Sequence, residues 1–312
     1  MDTRELLPRR LFMYLDHTLF PPPSPQRLQT GPRVETLHEQ GSGDINEDAL
    51  LTASQTFGVF DGATSLDRRR FTDNRTGGRL AADIAAATFA DQNANLPTLA
   101  EQANQDIARA QTAVGVELSD RHLLWSTSLA VVRLKENENR FEYCQSGDAQ
   151  IVVIDEDGAH RLITPAREID GVTLSIWKEL EPPAQATIHE VLAEQIQAVR
   201  LGMNRTYGVL NGEPEAMRFL CHGSVDLTGA RDILLFTDGL FLPREDPFAE
   251  HDWPLFIELY QRGGLAAIHQ RVRALQHGDP HCRHYPRFKC HDDIAAVAIT
   301  MQPLTQPARA LA

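Results

Sequence analysis

Carboxylates stand beside apolar runs along much of this chain: Glu47-Asp48, Asp61-Gly62, Asp238-Gly239 and Asp292-Asp293, with Asp148 on a turn between two further apolar stretches. A strand end is a rigid platform, and a carboxylate placed there is aimed with little entropic loss. Hard divalent cations such as Mg²⁺ and Mn²⁺ take oxygen ligands in near-octahedral arrangement and keep several waters. Carboxylates gathered from distant strand ends suit that demand without any Cys or His spacing. Taken singly, Asp-Gly after a strand is ordinary turn chemistry. Turn chemistry does not explain the whole set in its order.

The elements that must position these acids follow from the apolar pattern. Residues 57–60 (FGVF) run into Asp61-Gly62, and residues 232–237 (DILLFT) into Asp238-Gly239. Residues 294–300 (IAAVAIT) form a last strand, introduced by Asp292-Asp293. Residues 78–90 and 96–114 carry apolar residues at helical spacing. Residues 128–134, 141–144 and 151–154 read as strands. The turn Gln145-Ser146-Gly147-Asp148-Ala149 and the turn Asp155-Glu156-Asp157-Gly158 would make them a meander of hairpins. Residues 184–203 are helical in pattern, and residues 254–260 and 265–275 predict two short helices. Strands and helices in blocks, not in strict alternation, point to an α+β fold.

The composition sets outer limits. With 30 Lys and Arg against 43 Asp and Glu, the net charge of −13 argues against a general nucleic-acid binder, which needs clustered cations. No apolar run approaches the ~20 residues of a membrane span, and the N-terminus makes a poor signal peptide, so a cytoplasmic location is expected. Four cysteines in 312 residues are too few for a disulfide scaffold. The cluster Pro21-Pro22-Pro23-Ser24-Pro25 suits neither helix nor central strand. Residues 1–34 therefore read as an arm, lying on the surface or offering a polyproline segment to a partner. Residues 35–302 form one domain, and residues 303–312 a tail.

In order, Asn46-Glu47-Asp48-Ala49, Val59-Phe60-Asp61-Gly62, Ser146-Gly147-Asp148-Ala149, Phe236-Thr237-Asp238-Gly239-Leu240 and Asp292-Asp293-Ile294-Ala295 resemble the motifs of the metal-dependent serine/threonine protein phosphatases of type 2C. The resemblance runs from about Val34 to Thr300. It implies a two-sheet antiparallel β-sandwich flanked by helices, with a binuclear Mn²⁺ or Mg²⁺ site at one end. Under it, Asp61 would bridge two metals and the Gly62 carbonyl would bind one of them, while Asp238 and Asp292 would complete the other shell. Glu47 would act through water, with Asp48 beside it as a direct or indirect ligand. Asp148 would serve a weaker third ion. The reaction implied is hydrolysis of a phosphorylated Ser or Thr on a protein substrate by a metal-bound hydroxide, in line and without a covalent intermediate.

The sequence departs from that pattern at Gly43, where the family has an Arg that clamps the substrate phosphate. The turn after the second motif, Gly62-Ala63-Thr64-Ser65-Leu66, is also altered. Either phosphate is bound through another group, or the chain is a weakened, phosphatase-like binding module. Arg68, Arg69, Arg70 and Arg75 are candidate substitutes, with Arg68 and Arg75 put forward for the phosphate, against the plainer reading of a solvated charged loop. Residues 164–216 fall where the family has a variable flap that shapes substrate access. His281, Cys282, His284, Cys290 and His291 crowd one stretch, but their spacing matches no zinc finger or ribbon, which favours a basic loop with incidental thiols. Gly-x-Ser-x-Gly and nucleotide-cradling glycine motifs are both missing.

Overall fold

The protein is described by a computed structural model over residues 31–301, apart from residues 64, 65, 67, 68 and 181–185. Most of the N-terminal arm, the C-terminal tail and Arg68 lie outside the described residues. The strands are β1 (Arg33–Glu39), β2 (Ala49–Ala53), β3 (Thr56–Ala63), β4 (Ser126–Lys135), β5 (Arg140–Ser146), β6 (Gln150–Asp155), β7 (His160–Leu162), β8 (Cys221–Asp226), β9 (Ala230–Phe236) and β10 (Ile294–Thr300). The helices are α1 (Gly77–Phe89), α2 (Leu96–Ala113), α3 (Gly171–Glu179), α4 (Ile188–Val191), α5 (Ala193–Leu201) and α6 (Trp253–His277).

The strands form two antiparallel sheets in the orders β1-β10-β9-β6-β7 and β2-β3-β4-β5-β8. The α+β sandwich expected from the sequence is therefore the observed fold. Three apolar layers hold it together. Between the sheets lie Val59, Val132, Phe141, Ile151, Ile233 and Val297. The outer face of the second sheet, with Phe60, Leu129 and Val131, packs against Ala81, Phe89 and Ile107 of α1 and α2. The outer face of the first, with Leu234, Phe236 and Ala298, packs against Phe256, Ile268 and Val272 of α6. Neighbouring residues such as Val59 and Phe60 thus enter opposite layers, as the two-residue period of a strand requires. Central strands covered on both faces read as unbroken apolar runs for this reason.

Several expectations change. The residues 145–149 do not close a hairpin. They carry the chain from β5 in one sheet to β6 in the other, and only the 155–158 turn joins hydrogen-bonded neighbours, β6 and β7. The helix expected over 184–203 is two pieces. Thr187 caps α4 reciprocally with Glu190, and Leu192, at φ −114°, interrupts before α5. The two short helices expected at 254–260 and 265–275 are found, as the two arms of α6 on either side of the non-helical Gly263 and Gly264. Gly264 has φ +66°, which glycine adopts freely, and the next amide, Leu265 N–H, donates to Glu35 Oε1 at 3.0 Å. β1 begins at Arg33, inside the stretch assigned to the arm.

Candidate active site

The acids singled out in the sequence gather at one end of the sandwich. Asp61 and Gly62 lie near the end of β3, Glu47 and Asp48 directly precede β2, Asp148 sits on the crossing from β5 to β6, Asp238 follows β9, and Asp292 precedes β10. Glu47, Asp61, Gly62, Asp148, Asp238 and Asp292 share the wall of a cavity of about 850 Å³. Asp48 lies behind it, buried.

Long-range hydrogen bonds hold these loops. Asp293, buried, accepts the Gly41 N–H at 2.7 Å on Oδ1 and the Glu47 N–H at 2.9 Å on Oδ2, pinning the loop before β2 to the start of β10. The Thr237 hydroxyl donates to Asp48 Oδ2 at 2.7 Å and accepts the Ala295 N–H at 2.9 Å. The Thr76 side chain caps α1 by accepting the Arg79 N–H at 3.1 Å, and its hydroxyl donates to Glu47 Oε1. Arg79 in turn donates to the carbonyls of Asn46 and Asp48, both at 3.0 Å. Gly62 is required by close packing, since a Cβ there would fall 2.4 Å from the Gly78 carbonyl oxygen and 2.5 Å from that of Glu47. The sequence marked Asp293 and Thr237 only as neighbours of Asp292 and Asp238, with no role of their own, and did not mark Thr76. Their partners are tens to hundreds of residues away, and only the hydroxyl preceding Asp238 hinted at them.

The electrostatics are those of crowded like charges. Desolvation lifts the Asp61 carboxyl well above the usual range, and Asp48, Asp148 and Asp292 add to the rise. Asp238 is lifted by desolvation and then by Asp61, Asp292 and Asp148. Asp48 and Asp148 are raised too, again chiefly by desolvation. Asp170, at the N-terminus of α3 on the same cavity wall, is pushed up to about 7 by burial and then by Asp148. One ammonium reaches into this group: Lys289 Nζ lies 2.7 Å from Asp292 Oδ1. Burial alone would lower Lys289, but Asp292, with Asp293 and Glu47 behind it, holds it above its ordinary value.

Oxygen donors only, half-buried or buried and repelling one another, form a set that a hard divalent cation would relieve. The donor chemistry therefore fits such ions. As the side chains stand, no set of three or more Asp, Glu, His or Cys among the described residues has the spacing of a ligand shell. The His and Cys stretch is no metal site in this arrangement either. Cys282 Sγ donates to the Lys289 carbonyl at 3.5 Å and Cys290 Sγ to the Pro280 carbonyl at 3.3 Å. Of the arginines proposed for phosphate, Arg75 is spent elsewhere, on Asp83 at 3.1 Å and Asp73 at 3.4 Å, and is not on the cavity wall. Asp73, in the turn before α1, and Asp83, in the second turn of α1, hold it there.

The profile of the protein phosphatase 2C family matches residues 37–273. The chain belongs to the protein phosphatase 2C family. The match stops short of Lys289 and Asp292. Among solved structures, the chain is similar to the Mycobacterium tuberculosis serine/threonine phosphatase PstP, at 17% identity and TM-score 0.53 over 88% of this chain and 100% of that one. It is also similar to the serine/threonine phosphatase Stp1 of Staphylococcus aureus, at 14% identity and TM-score 0.53 over 90% of this chain and 100% of that one. A third is PppA of Pseudomonas aeruginosa, at 16% identity and TM-score 0.52 over 87% and 98%. These likenesses are of fold. The PstP catalytic domain is known in complex with 2 manganese ions. No curated protein matches the chain in sequence. Among the described residues no helix is long and apolar enough to cross a membrane.

Proposed function

We propose that the chain hydrolyses phosphomonoesters on serine or threonine of a protein substrate, with divalent cations held by Asp61, Asp238 and Asp292 and by the Gly62 carbonyl. Glu47, on the same wall, would act through water with Asp48 behind it, and Asp148 would serve a further, weaker ion. The observation that carries the reading is the convergence of Glu47, Asp61, Asp148, Asp238 and Asp292, from five separate segments of the chain, on one cavity. When bound, a pair of divalent cations supplies an acidified water and positive charge for the phosphoryl oxygens. The chain's own contribution is placement. Asp293 and Thr237 fix the loops that carry Glu47, Asp48 and Asp238. Phosphoryl transfer is mostly positioning and electrostatics, so this suffices in kind.

The second reading, a binding module with little turnover, is favoured by Gly43, which offers no side chain to the phosphate. One assay separates the two: hydrolysis of p-nitrophenyl phosphate and a phosphothreonine peptide with Mn²⁺, with Mg²⁺ and with chelator. Metal-dependent turnover supports the phosphatase. Metal binding without turnover supports the module.

A further inference from the structure

A phosphomonoester entering the cavity brings negative charge to a wall that already carries Asp61, Asp148, Asp238 and Asp292. Bound cations offset that charge, but a donor fixed to the protein is what orients the ester. Among the described residues, Arg69, Arg70, Arg200 and Lys289 are the Lys and Arg side chains on the wall. Three of them engage other neighbours, and the charge of Arg200 also acts on Asp170 of the same wall. Arg70 pairs with Asp44 at 3.4 Å, the Arg69 guanidinium lies 5.2 Å over the Phe71 ring, and Arg200 donates to the Ser126 hydroxyl at 3.3 Å.

Lys289 is placed differently. It lies where the main cavity meets an adjoining one of about 160 Å³, on a wall that both share with Asp148, Asp238 and Asp292. Asp292 Oδ1 accepts both the Lys289 ammonium, at 2.7 Å, and the Asp293 N–H, at 2.9 Å. One oxygen of Asp292 thus holds the ammonium, and Oδ2 is left for a cation. An ammonium has three N–H donors, and the structure gives Lys289 one side-chain hydrogen bond among the described residues. Its side chain is 27% exposed, so the head is held but not sealed.

We propose that Lys289 receives the substrate's phosphoryl group, in place of a cation at position 43, with Asp292 holding its ammonium in position; the proposal rests on the phosphatase reading above. An ammonium acts as a point charge, without the two-pronged fit of a guanidinium to two oxygens. The site should therefore tolerate a varied ester geometry.

The test compares wild type with Lys289→Met and Lys289→Arg as full-length, Mn²⁺-loaded proteins. KM and kcat for p-nitrophenyl phosphate, inhibition by orthophosphate, and Mn²⁺ affinity by calorimetry are measured on each. Loss of one charge-assisted hydrogen bond predicts that Lys289→Met raises KM and the orthophosphate inhibition constant roughly tenfold. Mn²⁺ affinity should move far less, and Lys289→Arg should recover most of the loss. Unchanged orthophosphate inhibition in Lys289→Met, with turnover intact, overturns the proposal alone. A change confined to Mn²⁺ affinity overturns it as well, because Lys289 would then serve only as counter-ion to Asp292. A wild-type chain that binds Mn²⁺ but hydrolyses nothing overturns the phosphatase reading and this proposal with it. Thermal melts identify a folding defect in Lys289→Met, in which case Lys289→Gln, which keeps a donor without the charge, carries the comparison.

Discussion

Asp238 and Asp293 stand close together in space yet have opposite duties. Asp238 is held above the usual carboxylate range by desolvation and by Asp61, Asp292 and Asp148, so the apolar core gains nothing from its charge. Asp238→Asn should abolish metal-dependent hydrolysis while leaving the metal-free melting temperature equal or higher, because one repelling charge is gone. Turnover and a thermal melt on the same preparation check this, and a large drop in melting temperature would count against it. Asp293 accepts two backbone N–H donors across more than two hundred residues. Asp293→Ala leaves both donors without partners in a buried place, and should cost about 2–4 kcal/mol in urea unfolding. Loss of activity in that variant would follow from the loosened loop around Glu47.

The segment after α6 and the aromatic group before it make separate predictions. Trp177 of α3 donates its indole N–H to the Cys282 carbonyl at 3.0 Å, and Arg283 lies 4.4 Å over its ring. These contacts fasten α3 to the loop that leads to Lys289 and Asp292. Trp177→Phe keeps much of the packing and removes the hydrogen bond, so it should cost about 1–2 kcal/mol by urea unfolding. On the wall of the smaller adjoining cavity, His251 stacks on Phe241 at 3.9 Å between ring centroids. Burial, then Arg244, lowers it from 6.5 to about 4. A histidine kept neutral in the folded chain favours folding above pH 6.5, and that contribution is lost as pH falls toward 4. The loss should reach about 3 kcal/mol, and His251→Phe should flatten this part of the stability curve. A wild-type curve with no fall between pH 6.5 and 4 that the variant removes would contradict it.

What could be read from the sequence depended on how each element is covered. β9 and β10, buried on both faces, appear as unbroken apolar runs and are found where expected. β8 alternates half-exposed and exposed residues, and β1 is an edge strand of mixed character, so neither gives a clear apolar signal. α3 buries only Gly171, Thr173 and Trp177 and shows no helical stripe. The break in α6 was readable because Gly263 and Gly264 stand together between two apolar patterns. The acids of the candidate site were readable because each follows or precedes a strong strand. Lys289 was not, since a lone lysine in a basic loop looks solvated until the fold sets it against Asp292.

The whole molecule is a sandwich whose one open end concentrates carboxylates in a chain of net charge −13. Such an end should be stabilised by divalent cations, each ion adding about 2.7 kcal/mol at a hundredfold excess over its Kd. The most direct measurement is a calorimetric titration of chelator-treated protein with Mn²⁺, in wild type and Asp61→Asn, with p-nitrophenyl phosphate turnover followed across the same titration. Two ions per wild-type chain are expected, with turnover that rises as they bind and loss of both in Asp61→Asn. Turnover that persists in Asp61→Asn, or a wild-type chain that takes up no Mn²⁺, would contradict this.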